Sequence, residues 1–225
     1  MTLDKPENAQ LLISDLHRIL TNAVLFAGTD DTLPYLASVH LESTGTHLVA
    51  TGTDRFTLGA SAAPYLDDKW SLLLPTEHVK TLLAVLKPHA GRRYSRWSSA
   101  KLSRSEQGYR LRVELPVAQV KFSFPTRQSF DDSIRFPLWK KLCKMEKITA
   151  ESPSSVILSP VKLAKFTRVI NADHPPRDMQ IVIPQRHKQV HIRIGDQFVG
   201  LIMPIARQGR DKDTDIVEGA PAWLS

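Results

Sequence analysis

The sequence predicts an α+β fold in which antiparallel sheets carry amphipathic helices on one face. Three observations predict it. The stretch from Leu48 to Gly59 (LVATGTDRFTLG) is an apolar run, a polar corner at Gly52 and Asp54, and a resumed Arg-Phe-Thr-Leu run, the pattern of two strands joined by a turn. Apolar residues recur at helical spacing in three segments set far apart. A βαββ-like order of elements runs from about residue 11 to 65, again from 70 to 125, and in a third copy from 155 to 205.

Taken in order, Ser14 is placed to cap a first helix through Leu16, Ile19, Leu20, Ala23 and Val24. That spacing leaves Arg18 and Asn22 off the apolar face, and Gly28 ends the helix. Strands follow at Leu36–Leu41, Leu48–Thr51 and Phe56–Ala60, then at Trp70–Leu74. After Pro75-Thr76 a second helix turns Val79, Leu82, Leu83 and Leu86 inward and presents Lys80, Ala84 and Lys87 elsewhere. Alternation marks Tyr109–Leu115 and Val120–Phe124 as strands. Phe136 to Trp139 opens a rigid segment followed by Lys140, Lys141, Lys144 and Lys147. Val156–Leu158 reads as a strand. Ser159 and Pro160 start a third helix that buries Leu163, Phe166, Val169 and Ile170 and shows Lys162, Lys165 and Arg168 at every third position. Strands at Met179–Ile183, Val190–Ile194 and Phe198–Met203 complete the set.

The charge is +7, from 30 Lys and Arg against 23 Asp and Glu, which suits an anionic partner or simply a soluble basic surface. Cations are densest from Lys87 to Arg112, where Arg92, Arg93 and Arg96 are interleaved with Tyr94, Trp97 and Tyr109. That run suits phosphate contact with stacking, or a twisted hairpin with wet cations and inward aromatics. Lys80, Lys87, Lys162, Lys165 and Arg168, with Arg18, recur beside the apolar stripes of the helices and read as duplex-facing cations or as solvated faces. The single cysteine, Cys143, excludes an internal disulfide. The polar first ten residues and the lack of an 18-residue apolar span predict a soluble, cytoplasmic protein without membrane association; a place at the nucleoid goes with the reading of the helix cations as duplex-facing.

No phosphate-binding glycine loop, CxxC or HExxH motif occurs. His40 with His47, or His187 with His191, lacks the further ligands a metal needs, so neither metal nor cofactor is expected. Asp67-Asp68 and Asp131-Asp132 lie in turn-like segments, which leaves a small basic nuclease as the weaker, enzymatic alternative.

Five segments in this order, LVATGTDRFTLG, SLLLPTEHVKTLLAVL, RFPLWKKL, SPVKLAKFTRVI and VGLIMPIAR, resemble the bacterial DNA polymerase III beta sliding clamp, in its middle domain and the second half of its last. The resemblance implies a clamp fold with helices facing duplex DNA, and a pocket that receives short linear peptides from polymerase and other replication or repair proteins. It implies walls at Thr51, Thr53, Asp54, Arg55 and Phe56, at Pro137, Lys141 and Leu142, and at Leu201, Met203 and Pro204. It implies a non-enzymatic processivity or scaffold role, a homo-oligomer, and a clamp loader as a further partner. The residues alone also fit a core assignment for Phe56, Leu142, Leu201 and Met203. The expected division is a flexible start (1–10), a full clamp-like domain (11–126), a connector (127–154), a half domain (155–207) and a charged tail (208–225). A peptide-binding adaptor that never encircles DNA is the alternative. The corner Gly52-Thr53-Asp54 departs from the family's Ala-Thr-Asp-Gly turn, and one full domain plus a half departs from three.

Overall fold

The computed structural model describes residues 11–30, 32–91, 99–105, 108–114, 119–125, 136–143, 156–171, 178–183 and 189–205. In chain order the elements are β1 (Leu11–Leu12), α1 (Ile13–Val24), β2 (Ser38–Ser43), β3 (His47–Thr53), β4 (Thr57–Pro64), β5 (Trp70–Pro75) and α2 (Thr76–Leu86). There follow β6 (Ser99–Ser105), β7 (Gly108–Glu114), β8 (Gln119–Pro125), α3 (Trp139–Leu142), α4 (Pro160–Leu163), β9 (Met179–Val182), β10 (Val190–Ile194) and β11 (Phe198–Ile202). Short 3-10 turns, Lys87–His89 and Phe166–Arg168, follow α2 and α4.

The fold is α+β, and every strand pairing is antiparallel. One sheet has seven strands in the order β5-β2-β3-β4-β11-β10-β9; the other has four, β1-β6-β7-β8. The β4–β11 pairing, with Gly59 opposite Gly200 and Leu58 opposite Leu201, joins strands that are far apart in the chain.

Strand alternation gives the seven-stranded sheet two different faces. Its inner face carries Val39, Leu41, Leu48, Ala50, Ala63, Leu72 and Leu74 against α1 and α2. Ala100, Leu111 and Val113 of the four-stranded sheet join the same core. Further along, Phe26, Phe166 and Phe198 pack together, with Phe26 and Phe166 ring centres 4.8 Å apart, over Val190, Ile192, Ile194 and Ile202. The outer face carries a smaller cluster, Val49, Leu58, Ala60 and Leu201 beneath Trp139.

The close fit of inner-face groups rests on a row of glycines. Gly52 pairs with Gly59, and Gly59 with Gly200. A Cβ at Gly52 would lie 2.1 Å from the Ala23 carbonyl oxygen, at Gly59 2.2 Å from the Phe26 ring, and at Gly200 2.4 Å from the Phe166 ring. The absence of side chains along this row lets the end of α1 and two aromatic rings rest directly on the strands.

Several expectations are corrected. Ser14 does not cap α1, which starts one residue earlier with no side-chain cap. Arg18 and Asn22 are not off the buried face: Asn22 is fully buried and Arg18 is 5% exposed. The third helix is broken, with α4 giving way to a 3-10 turn and then to extended backbone at Val169. Asn22 supplies the reason. Its side-chain amide donates to the Ile170 carbonyl at 2.8 Å and accepts from the Ile170 N–H at 2.8 Å, occupying both main-chain groups that a continuing helix would use. Ile170 is consequently exposed and not buried. Val156–Leu158 forms no ladder, although the Ile157 carbonyl accepts from Ile205 N–H at 2.9 Å. No helix of the described residues is long and apolar enough to cross a membrane.

Candidate functional site

The β3–β4 turn is built by Asp54. One of its carboxylate oxygens accepts from the Phe56 N–H (3.0 Å), the Thr57 N–H (2.6 Å) and the Thr57 hydroxyl (2.8 Å), an Asx-type closure. Arg55, between them, has φ +76°, a left-handed conformation that side chains other than Gly, Asn and Asp rarely adopt. The second Asp54 oxygen accepts from Lys165 Nζ at 2.8 Å. Burial pushes the Asp54 carboxyl up, but the bonds from Lys165 and Thr57 outweigh it and hold the group below the ordinary carboxylate range. One helical turn earlier, Lys162 Nζ lies 3.2 Å from the centre of the Phe56 ring, a cation–π contact. The turn is therefore gripped twice from the segment that follows Ser159.

On the outer face, residues 136–143 cross the sheet beside this turn. Trp139 is buried over Leu58, Ala60 and Leu201. Phe136 stacks on His40 with ring centres 4.9 Å apart, and Lys140 pairs with Glu42. Gln189 Nε2 donates to the Leu142 carbonyl at 3.1 Å. Gln189 is one register step beyond the Val190–Ile202 pair and so lies opposite Met203. Met203 N–H in turn donates to the Phe56 carbonyl at 2.8 Å. A groove of about 330 Å³ runs between the segment and the sheet, lined by His40, Glu42, Ser71 and residues 136–141. Burial, with help from Lys140 and against Glu42, keeps the His40 imidazole below its usual range, so it is neutral near pH 7.

The residues expected to wall a pocket divide into buried, exposed and half-buried groups. Thr51, Thr53 and Leu201 are buried in the sheet. Phe56 (54% exposed), Leu142 (47%) and Met203 (43%) remain open to solvent. Arg55 and Lys141 are exposed, while Asp54, Pro137 and Pro204 are half-buried. The hydrogen bonds through Met203 and Gln189 bring Phe56, Met203 and the Leu142 backbone to one end of the sheet.

The expected duplex-facing cations do not share one environment. Arg18 is enclosed, and its guanidinium donates to Asp15 (2.9 Å) and to the Ala62 carbonyl (3.0 Å). Lys165 is held by Asp54 and Lys162 by Phe56. Lys80, Lys87 and Arg168 are exposed. Arg92, Arg93 and Arg96 lie outside the described residues, as do Asp131 and Asp132. Among the described residues no three His, Cys, Asp or Glu side chains converge as metal ligands.

Sequence reasoning did not identify Trp139, His40 and Glu42 as parts of the site. The alternation of β2 gives the one available signal, because it puts His40 and Glu42 on the same face.

No family model matches the sequence, and no curated protein matches it. Solved structures do match in fold. The DNA polymerase III beta subunit of Thermotoga maritima is 12% identical over 88% of this chain and 65% of its own, with a TM-score of 0.63. The DNA polymerase sliding clamp of Bacillus subtilis is 14% identical over 92% and 67%, with a TM-score of 0.61. The DNA polymerase III beta subunit of Pseudomonas aeruginosa is 16% identical over 90% and 66%, with a TM-score of 0.56. This chain spans about two thirds of the length of each. Across that span it has the fold of the DNA polymerase III beta subunit, the sliding-clamp fold.

Proposed function

We propose that this protein is a non-enzymatic, clamp-like scaffold that associates with duplex DNA and docks partner peptides on the outer face of its seven-stranded sheet. The observation that carries the reading is that hydrogen bonds tie the end of β11 to the β3–β4 turn and Gln189 to the Leu142 carbonyl, while Phe56, Leu142 and Met203 stay exposed. Exposed apolar side chains beside a buried base, rimmed by Arg55 and Lys141, suit a short peptide with Leu or Phe anchors. In this reading Thr51, Thr53 and Leu201 form the base, Asp54 sets the turn, and Pro137 and Pro204 fix the two flanking segments. Polymerase and other replication or repair proteins are the partner class, with a clamp loader and further copies of the chain as assembly partners. Lys80, Lys87 and Arg168 make non-specific phosphate contacts. The domain division at 11–126 and 155–207 belongs to the same reading, as does a place in the cytoplasm at the nucleoid.

A second reading is a peptide-binding adaptor that does not encircle DNA. It is favoured by the enclosure of Arg18 and the engagement of Lys162 and Lys165, which reduce the free charge on the helices.

Two binding measurements test the proposal. A fluorescein-labelled peptide with Leu and Phe anchors binds the wild type, and Met203→Asp weakens it at least about tenfold. Retention on closed circular duplex exceeds retention on the linearised form. Peptide binding with equal retention on both forms supports the adaptor. Failure of the peptide to bind contradicts both readings.

A further inference from the structure

The four-stranded sheet presents a row of cations that the helices do not match. In the register of β6, β7 and β8, Lys101 stands opposite Arg112, and Arg112 opposite Lys121. All three side chains are exposed, whereas Ala100, Leu111 and Val113 of the same strands are buried in the core. The row therefore lies on the solvent face. Arg110, two residues along that face, is exposed as well, and Glu114 is the acidic residue that shares it. Lys101, Arg112 and Lys121 have no ion-pair partner among the described residues.

Adjacent strands lie about 4.8 Å apart, so the middle cation has a like charge on each side. Like charges directly opposite each other destabilise a ladder. Lys80 on α2 and Lys87 just past its end, by contrast, are about two turns apart, roughly 10 Å along the helix axis, and exposed Glu77 lies one turn before Lys80. A polyanion on the sheet would both gain the attraction of three closely spaced cations and relieve their mutual repulsion.

We propose that the solvent face of the four-stranded sheet, centred on Arg112, is a second nucleic-acid surface that binds the phosphate backbone of duplex DNA. It rests on the reading of this protein as a DNA-associated scaffold and adds a surface separate from the helices. The contact is with phosphates and carries no base readout.

The test sets stability against affinity. Arg112→Gln removes two repulsive pairs and one phosphate contact. Its thermal midpoint at low salt is expected to rise, while its affinity for a duplex of about 20 base pairs falls. The slope of log K against log salt is expected to shrink by about one unit. Arg112→Glu, which turns both repulsive pairs into attractive ones, is expected to raise the midpoint further and to weaken the duplex further. A merely structural role moves stability and binding in the same direction. Unchanged duplex affinity and slope in both variants overturns the second surface, as does a lowered midpoint. Lys80→Glu with Lys87→Glu separates the two claims: duplex binding lost there and untouched by the Arg112 variants leaves the scaffold reading standing and removes this one. No duplex binding by the wild type removes the DNA reading itself.

Discussion

Two residues show how closely this structure depends on side-chain size. Gly59 admits the Phe26 ring to the sheet surface, and an added Cβ would meet that ring at 2.2 Å. Overpacking of this kind costs about 1–3 kcal/mol. Gly59→Ala is therefore expected to lower stability by about 2 kcal/mol in denaturant unfolding, while Gly45→Ala, by comparison, meets no atom closer than 3.7 Å and pays only for its positive φ. Arg55 poses the opposite problem. Its left-handed backbone costs about 1–2 kcal/mol, and Arg55→Gly relieves that strain at about 0.5–1 kcal/mol of added unfolded-chain entropy. The variant is expected to be as stable as the wild type or up to about 1.5 kcal/mol more so. Its affinity for the anchor peptide is expected to fall, because the exposed guanidinium rims the proposed site. A gain in stability with undiminished peptide binding would remove Arg55 from that rim.

At the scale of elements, the β3–β4 turn and the segment after Ser159 act as one unit. Asp54→Asn loses the Lys165 ion pair, worth about 1 kcal/mol for a partly buried pair, and weakens the acceptor of three turn bonds. Because the folded carboxyl is held below its unfolded value, its stabilising contribution is complete above the unfolded value and is lost as pH falls through the folded one. Unfolding measured from neutral into acid is thus expected to show a shallower loss of stability below about pH 4 in Asp54→Asn than in the wild type. Equal slopes would mean that the bonds drawn to Asp54 do not shift its titration. The segment 136–143 is open to a chemical test. Burial raises the Cys143 thiol to about 11, so thiolate is scarce at neutral pH and alkylation is expected to be about tenfold or more slower than in the unfolded chain. Trp139→Ala, which removes the ring holding this segment to Leu58, Ala60 and Leu201, is expected to speed that reaction. No change in labelling would show that the segment stays seated without its tryptophan.

For the molecule as a whole, the hairpin around Leu48–Gly59, the helix after Pro75 and the strand Val190–Ile194 were legible because period and turn chemistry agree locally. Arg18 and Asn22 were not, since helical spacing cannot reveal that the opposite sheet supplies Ser61 and Ala62 to receive polar side chains. The break after α4 depends on Asn22, nearly 150 residues earlier, and no local signal announces it. Lys162 and Lys165 have the regular spacing of a solvated face, yet tertiary packing sets both against the Asp54–Phe56 turn. The outer-face site was legible only by resemblance, because its residues come from three distant stretches whose meeting depends on β4 pairing with β11. The most direct test of the central claim is photo-crosslinking of the anchor peptide, carrying a benzophenone at its Leu or Phe position, followed by mapping of the attachment sites. Adducts at Phe56, Leu142 and Met203, removed by excess unlabelled peptide, are the predicted result. Adducts confined to α2 or to the four-stranded sheet, or adducts that excess peptide does not remove, would contradict a docking site on the outer face.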